Sequence, residues 1–300
     1  KDAMDTIKSK YAHLVGEIVA HVPKEARVSE LDVYQEGISQ ILPFIDAIIA
    51  DHLEDGSRIE GLDNLKNLYE HAKNGESTLL LMEHYSNFDL PVFHYLLRKE
   101  GDEGKQIASN LVAIAGIKLN EENPAVNAFT RAYTRIVIYP SRSMQIIRER
   151  LTDPIELYQE MKRSISINRA AMRALDRARH NGKMILVFPA GTRYRPWDPS
   201  SKRGVREIAS YVKSFSKFGL ISINGNILRL NPSGAMEDDI LQKDRVIYNI
   251  SPVHDNREFL NSVRYDLRFF EDKKQAIVDT IMDLLEDMHY EVENRRFIDR

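Results

Sequence analysis

The chain has 300 residues, 43% of them hydrophobic and 29% charged, and its net charge is −3. That composition can build a sizeable core, which excludes disorder as the main state, and the acidic balance argues against a general nucleic-acid binder. There is no cysteine, so disulfides, thiolate metal sites and cysteine nucleophiles are excluded.

The first elements read as helices. Met4, Ile7, Tyr11, Leu14 and Ile18 recur at three- and four-residue spacing and share one helical face, and Pro23 ends that helix. Ser29, Glu30, Leu31 and Asp32 look like a capping box opening a second helix, which Pro43 should kink or end before the pattern resumes over 45–53. The apolar patch at 38–49 is the longest, and Ser39, Gln40, Pro43 and Asp46 interrupt it. No segment approaches the roughly 18 consecutive apolar residues of a membrane span, and no signal peptide is expected. Residues 1–55 are therefore predicted as a small helical bundle, and 56–300 as a separate α/β domain.

From about residue 56 helices and strands alternate. Leu62, Leu65, Leu68 and Ala72 mark a helix closed by Asn74 and Gly75. Residues 79–82, 111–115, 136–139 and 184–188 are short continuous apolar runs, with further strands expected at 220–223 and 246–250 and a helix over 90–98. Ile277, Ile281, Leu284 and Met288 share a face of the last helix. Continuous apolar strands separated by helices predict an α/β fold, a mixed and largely parallel sheet covered by helices on both faces.

Two segments carry chemistry. The 79–82 strand runs into Glu83, His84, Tyr85, Ser86, Asn87, Phe88 and Asp89, and a helix is expected to start near Phe88. His84 then sits just past a strand end, where sites of open α/β sheets lie, and Asp89 can fold back to meet its ring. That is the base and orienter of a hydrolase triad without its nucleophile. An imidazole titrates near neutrality, so the nucleophile this pair would serve is a substrate hydroxyl. Read alone, the pair is equally a turn histidine beside a helix-capping aspartate. The second segment is Phe188, Pro189, Ala190, Gly191, Thr192, Arg193, Tyr194, Arg195 and Pro196. A buried strand ends in a Pro/Gly turn presenting two arginines, whose forks suit phosphate oxygens. Gly191 lets the backbone approach a ligand closely. Alone, this loop also reads as a polar turn pairing with surface carboxylates.

Taken together, His84 with Asp89 five residues on, followed about a hundred residues later by Phe188-Pro189-x-Gly191-Thr192-Arg193, resembles the glycerophospholipid acyltransferase family, and within it the soluble, chloroplast-type glycerol-3-phosphate acyltransferases. Blocks at Gly61-Leu62-Asp63, Ala115 to Lys118, Val137 to Met144, and Asn168 to Pro196 are similar in order and spacing. The resemblance implies an acyltransferase that moves a fatty acyl group from an acyl carrier protein or coenzyme A thioester onto the sn-1 hydroxyl of glycerol 3-phosphate. It implies His84 as base, Asp89 as its orienter, and Arg193 and Arg195 as phosphate ligands beside Gly191 and Thr192, with Arg142, Ser143 and Lys118 as further phosphate contacts. Relatives usually carry histidine where Ser143 stands; a hydroxyl still donates one hydrogen bond but brings no charge. Neither metal nor cofactor is expected, the thioester being a co-substrate, and the location implied is cytoplasmic, or plastid stroma after removal of a transit peptide, with possible peripheral membrane contact. Acylation of lysophosphatidate is the near alternative, and a silent lipid- or phosphate-binding module the distant one.

A local basic run stands out in this acidic chain. Arg169, Arg173 and Arg177 lie four apart on one helical face, with Ala171, Leu175 and Ala178 roughly opposite. That face would dock an acidic acyl carrier protein or anionic lipid head groups, or is simply a solvated surface. No dinucleotide or nucleotide-triphosphate loop and no serine-hydrolase elbow is present. His94 is expected to pack rather than ligate. His254 and Asp255 are expected in a turn, and Trp197 in packing, or else at the pocket wall.

Overall fold

The computed structural model describes residues 4–24, 27–118, 124–232, 235–264 and 272–298. The chain opens with α1 (Ile7–Ala20), capped by Thr6, whose hydroxyl accepts from the Ser9 amide while the Ser9 hydroxyl accepts from the Thr6 amide. It continues through β1 (Tyr34–Gln35), α2 (Leu42–His52), β2 (Arg58–Glu60), α3 (Leu62–Lys73), β3 (Thr78–Met82), α4 (Asp89–Arg98), α5 (Gly101–Ser109), β4 (Leu111–Gly116) and α6 (Pro124–Thr130). Then come β5 (Arg135–Ile138), α7 (Ser141–Arg150), α8 (Pro154–Arg179), β6 (Met184–Val187), α9 (Ile208–Ser214) and β7 (Lys217–Asn224). Short strands β8 (Leu228–Arg229) and β9 (Ile240–Leu241) pair with each other; β10 (Ile247–Ile250), β11 (His254–Asp255), α10 (Asn256–Ser262) and α11 (Lys273–Ile298) close the chain.

The main sheet runs in the order β1-β5-β4-β6-β3-β7-β10-β2, with β11 added on β7. Its central five strands, β5 to β7, are parallel; β1, β10 and β11 pair antiparallel, and β2 runs parallel to β10. The fold is thus the mixed, largely parallel α/β sheet that the apolar runs predict. Strand β3 shows why those runs are continuous. Leu80 and Met82 enter the core under α1 to α5, while Leu79 and Leu81 enter the core under α8 to α11. Side chains alternate between faces, and here both faces are covered, so each position from Leu79 to Met82 is apolar.

The N-terminal region departs from expectation. Residues 28–33 form no helix. The Asp32 carboxylate accepts from both the amide and the hydroxyl of Ser29 and closes a turn on itself. Val28 and Val33 are buried, Leu31 is 92% exposed, and Tyr34 and Gln35 pair with Ile136 and Arg135 as an edge strand. Pro43 does not break a helix but stands in the first turn of α2, where an absent N–H costs nothing. Ile18 of α1 and Ile45, Ile48 and Ile49 of α2 share one core with Leu65, Leu80 and Phe93. His254 and Asp255 form a short strand on β7, and Asp255 caps α10, rather than making a free turn. Among the described residues no helix is long and apolar enough to cross a membrane.

Candidate active site

Strand β3 lies between β6 and β7, so the segment leaving its carboxyl end meets the segment leaving β6. The turn from Glu83 to Phe88 is organised by one carboxylate. Asp89 Oδ2 accepts from the Tyr85 amide at 2.6 Å, the Ser86 amide at 2.9 Å and His84 Nδ1 at 2.9 Å. The Ser86 hydroxyl accepts from the Phe88 amide at 2.9 Å, and Tyr248 donates its hydroxyl to the Asp89 carbonyl at 2.6 Å. A carboxylate offers only acceptors, so Nδ1 carries the proton in this pair and Nε2 keeps the lone pair. Asp89 is 3% exposed, and the imidazole ring stacks on Phe188, centroids 3.9 Å apart. Packing and hydrogen bonding therefore hold the ring in one orientation.

Phe188 begins the second loop, and the Tyr194 amide donates to the His84 carbonyl at 2.8 Å. The two motifs are thus joined by backbone and by ring contact. Gly191 adopts φ +66°, a left-handed conformation, and a Cβ there would meet Val205 at 3.3 Å. Past this turn the amides of Thr192 and Arg193 donate to no acceptor among the described residues.

One cavity of about 1090 Å³ is lined by His84, Gly191, Thr192, Arg193, Arg142, Ser143 and Lys118. Seven of the predicted residues thus share one space. Its remaining walls are mostly apolar and include Val15 and Val19 of α1, Phe129 of α6 and Met172 of α8. Arg142 and Ser143 begin α7 just beyond β5, the former exposed and the latter buried. Arg195 does not line this cavity. Its guanidinium turns to the Thr192 hydroxyl at 3.3 Å and to Asp198 at 3.2 Å. Arg169, Arg173 and Arg177 lie on the exposed face of α8, also away from the cavity lining. Trp197 is 50% exposed and forms neither pocket wall nor core.

Three features were not legible in the sequence. Asp239, 3% exposed, pairs with Arg193 Nη1 at 2.5 Å. Burial raises the Asp239 carboxyl above its ordinary range, although Arg193 and the Asn231 amide oppose that shift. Nothing in the spacing of positions 193 and 239 announces the contact. Behind His84, the buried Glu83 accepts from His289 at 3.0 Å, from the Tyr85 hydroxyl at 2.6 Å and from the Ile223 amide at 2.9 Å, tying the motif to α11. Arg135, 1% exposed, also lines the cavity and donates to Gln35, Thr130 and Asn127; burial lowers its pKa to about 9, and Arg131 adds to the shift.

A histidine oriented by a carboxylate shares a largely apolar cavity with cations, and Ser86, the one serine between the two motif residues, is buried with its hydroxyl accepting from the Phe88 amide; the arrangement is suited to group transfer onto a hydroxyl that the substrate itself brings. A family model described as Acyltransferase matches residues 57–223, more than half of the chain. The chain belongs to that acyltransferase family, as its resemblance to the glycerophospholipid acyltransferases implies. A comparison of the whole chain with curated proteins gives no match.

Proposed function

We propose that the protein transfers a fatty acyl group from a thioester, carried by acyl carrier protein or coenzyme A, to the sn-1 hydroxyl of glycerol 3-phosphate. The observation that carries this reading is the convergence of His84 with Arg193, Arg142 and Lys118 on one cavity. In this mechanism the cations hold the phosphate end, which sets the acceptor hydroxyl against Nε2 of His84. The imidazole takes the proton as the oxygen attacks the thioester carbonyl. Asp89 then stabilises the imidazolium, and the proton passes to the departing thiolate. Holding both reactants makes the encounter effectively unimolecular.

The tetrahedral oxyanion needs donors that are not already committed. The amides of Tyr85, Ser86, Phe88 and Asp89 are already engaged within their turn. Those of Thr192 and Arg193 are not, which favours the Gly191 turn for this role. The apolar walls suit the acyl chain. Arg195 acts here at one remove, bonding the Thr192 hydroxyl rather than reaching the phosphate itself.

The test is product identification with purified protein, glycerol 3-phosphate or lysophosphatidate as acceptor, and both thioester donors. Lysophosphatidate formed from glycerol 3-phosphate is the expected product; turnover of lysophosphatidate alone would replace this acceptor with the larger one. His84→Ala should lower the rate by about 10²–10⁴-fold while leaving glycerol 3-phosphate binding in place. Near wild-type turnover in that variant removes the base.

A further inference from the structure

The outer face of α8 is both apolar and basic. Four large apolar side chains lie along it: Ile155 is 67% exposed, Tyr158 64%, Ile165 53% and Met172 61%. At 100° per residue these four fall within one third of the helix circumference. Lys162 and Arg169 project between them and Arg173 and Arg177 beside them, all exposed. The Lys162 ammonium sits over the Tyr158 ring. Arg169, Arg173 and Arg177 have no ion-pair partner among the described residues. Asp176 is the acid on this face, and Arg179 takes it at 2.8 Å; at the rim, Glu30 accepts from the Ser166 hydroxyl. The opposite face, Ile167, Ala170, Ala171, Ala174, Leu175 and Ala178, is buried against the sheet.

This face also adjoins the cavity. Asn168, Ala171 and Met172 line it, so Met172 belongs both to the exposed apolar row and to the cavity wall. The cations alone would suit an acidic protein partner; the apolar row, running into the wall of the cavity at Met172, favours a lipid surface. A lipid surface takes both, with apolar side chains at the acyl boundary and cations on anionic head groups.

We propose that α8 docks the protein on an anionic bilayer through Tyr158, Ile165, Met172, Lys162, Arg169 and Arg173, setting the edge of the cavity against the lipid so that acyl-bearing molecules pass between them. The purpose given to the cavity rests on the function proposed above; the docking does not.

Co-sedimentation of the whole chain with vesicles of phosphatidylcholine, alone or with phosphatidylglycerol, tests this. Wild-type protein should pellet with the anionic vesicles, less so as salt rises. Tyr158→Asp/Ile165→Asp and Arg169→Glu/Arg173→Glu should each bind them about tenfold more weakly or worse, with unchanged turnover of a short-chain, water-soluble thioester. If a reversed pair does not fold, Arg169→Gln/Arg173→Gln serves in its place, with the melting temperature as control. Three outcomes overturn the proposal: no wild-type binding to anionic vesicles, wild-type binding by the Tyr158→Asp/Ile165→Asp variant, or arginine-dependent capture of an acidic carrier protein while vesicles are ignored. Vesicle binding without any acyl transfer supports docking and removes the chemistry; transfer without vesicle binding does the reverse.

Discussion

At the scale of single residues the site is decided by who holds whom. His84 is fixed by Asp89 on one edge and Phe188 on one face, so its basic nitrogen has a direction before substrate arrives. Arg193 is fixed by Asp239, a carboxylate 46 positions away in sequence that withdraws part of one guanidinium edge and aims the rest. Asp239→Asn keeps the shape but removes the charge that anchors the guanidinium. On the function proposed above, steady-state kinetics should show KM for glycerol 3-phosphate raised by about tenfold with kcat changed by less than about threefold, the pattern of lost substrate binding rather than lost transition-state stabilisation. A fall in KM would mean that the carboxylate competes with the phosphate instead of positioning its ligand. The pair at 84 and 89 was readable because both residues belong to one short turn. The pair at 193 and 239 was not, because only the return of the β8–β9 hairpin makes it.

Elements place these residues through turns at strand ends. The Gly191 turn must reverse the chain directly after a buried strand, beside Val205, whose amide donates to the Pro189 carbonyl at 2.8 Å. Gly191→Ala puts a Cβ into a left-handed conformation and within 3.3 Å of Val205. It should cost about 1–3 kcal/mol, read as a lower denaturant midpoint at unchanged slope, with turnover reduced further because the Thr192 and Arg193 amides shift. Stability and turnover both at wild-type levels would show that the turn tolerates a side chain. The misread segment at 29–32 teaches the same lesson in reverse. Ser-x-x-Asp satisfies helix-cap grammar, but its carboxylate closed on the Ser29 amide and hydroxyl, and the chain runs on into the edge strand β1, where Tyr34 and Gln35 pair with β5.

At the scale of the molecule, distant segments are clamped by charge as well as by apolar packing. Arg98 donates from Nε to His94 Nδ1 at 2.8 Å and from its two Nη atoms to Asp46 at 2.7 Å each, joining α4 to α2. Burial chiefly, and Arg98 next, hold the His94 pKa down to about 3, against a hydrogen bond to the backbone at Ala108. The unfolded chain binds a proton there near pH 6.5, whereas the folded chain does so only near 3. Stability from this residue is therefore complete above about pH 6.5 and is lost as pH falls toward 3, amounting to a few kcal/mol at most. Urea unfolding across that range should show a shallower acid loss in His94→Gln than in wild type; parallel curves would mean that His94 is protonated in the fold.

The sequence by itself determined the alternation of helices and buried strands, the family, and the two motif turns, because those depend on residues near one another in the chain: continuous apolar runs, a histidine five positions from an aspartate, a Pro/Gly turn before an arginine. Only the tertiary structure decided that β3 lies beside β6 and so brings the two turns together, that Arg195 faces Asp198 instead of the cavity, that Asp239 holds Arg193, and that α8 leaves an apolar and basic face uncovered beside the cavity. Each of these depends on which strands pair and which faces are buried, and a short window of sequence carries no record of a contact closed by a distant segment.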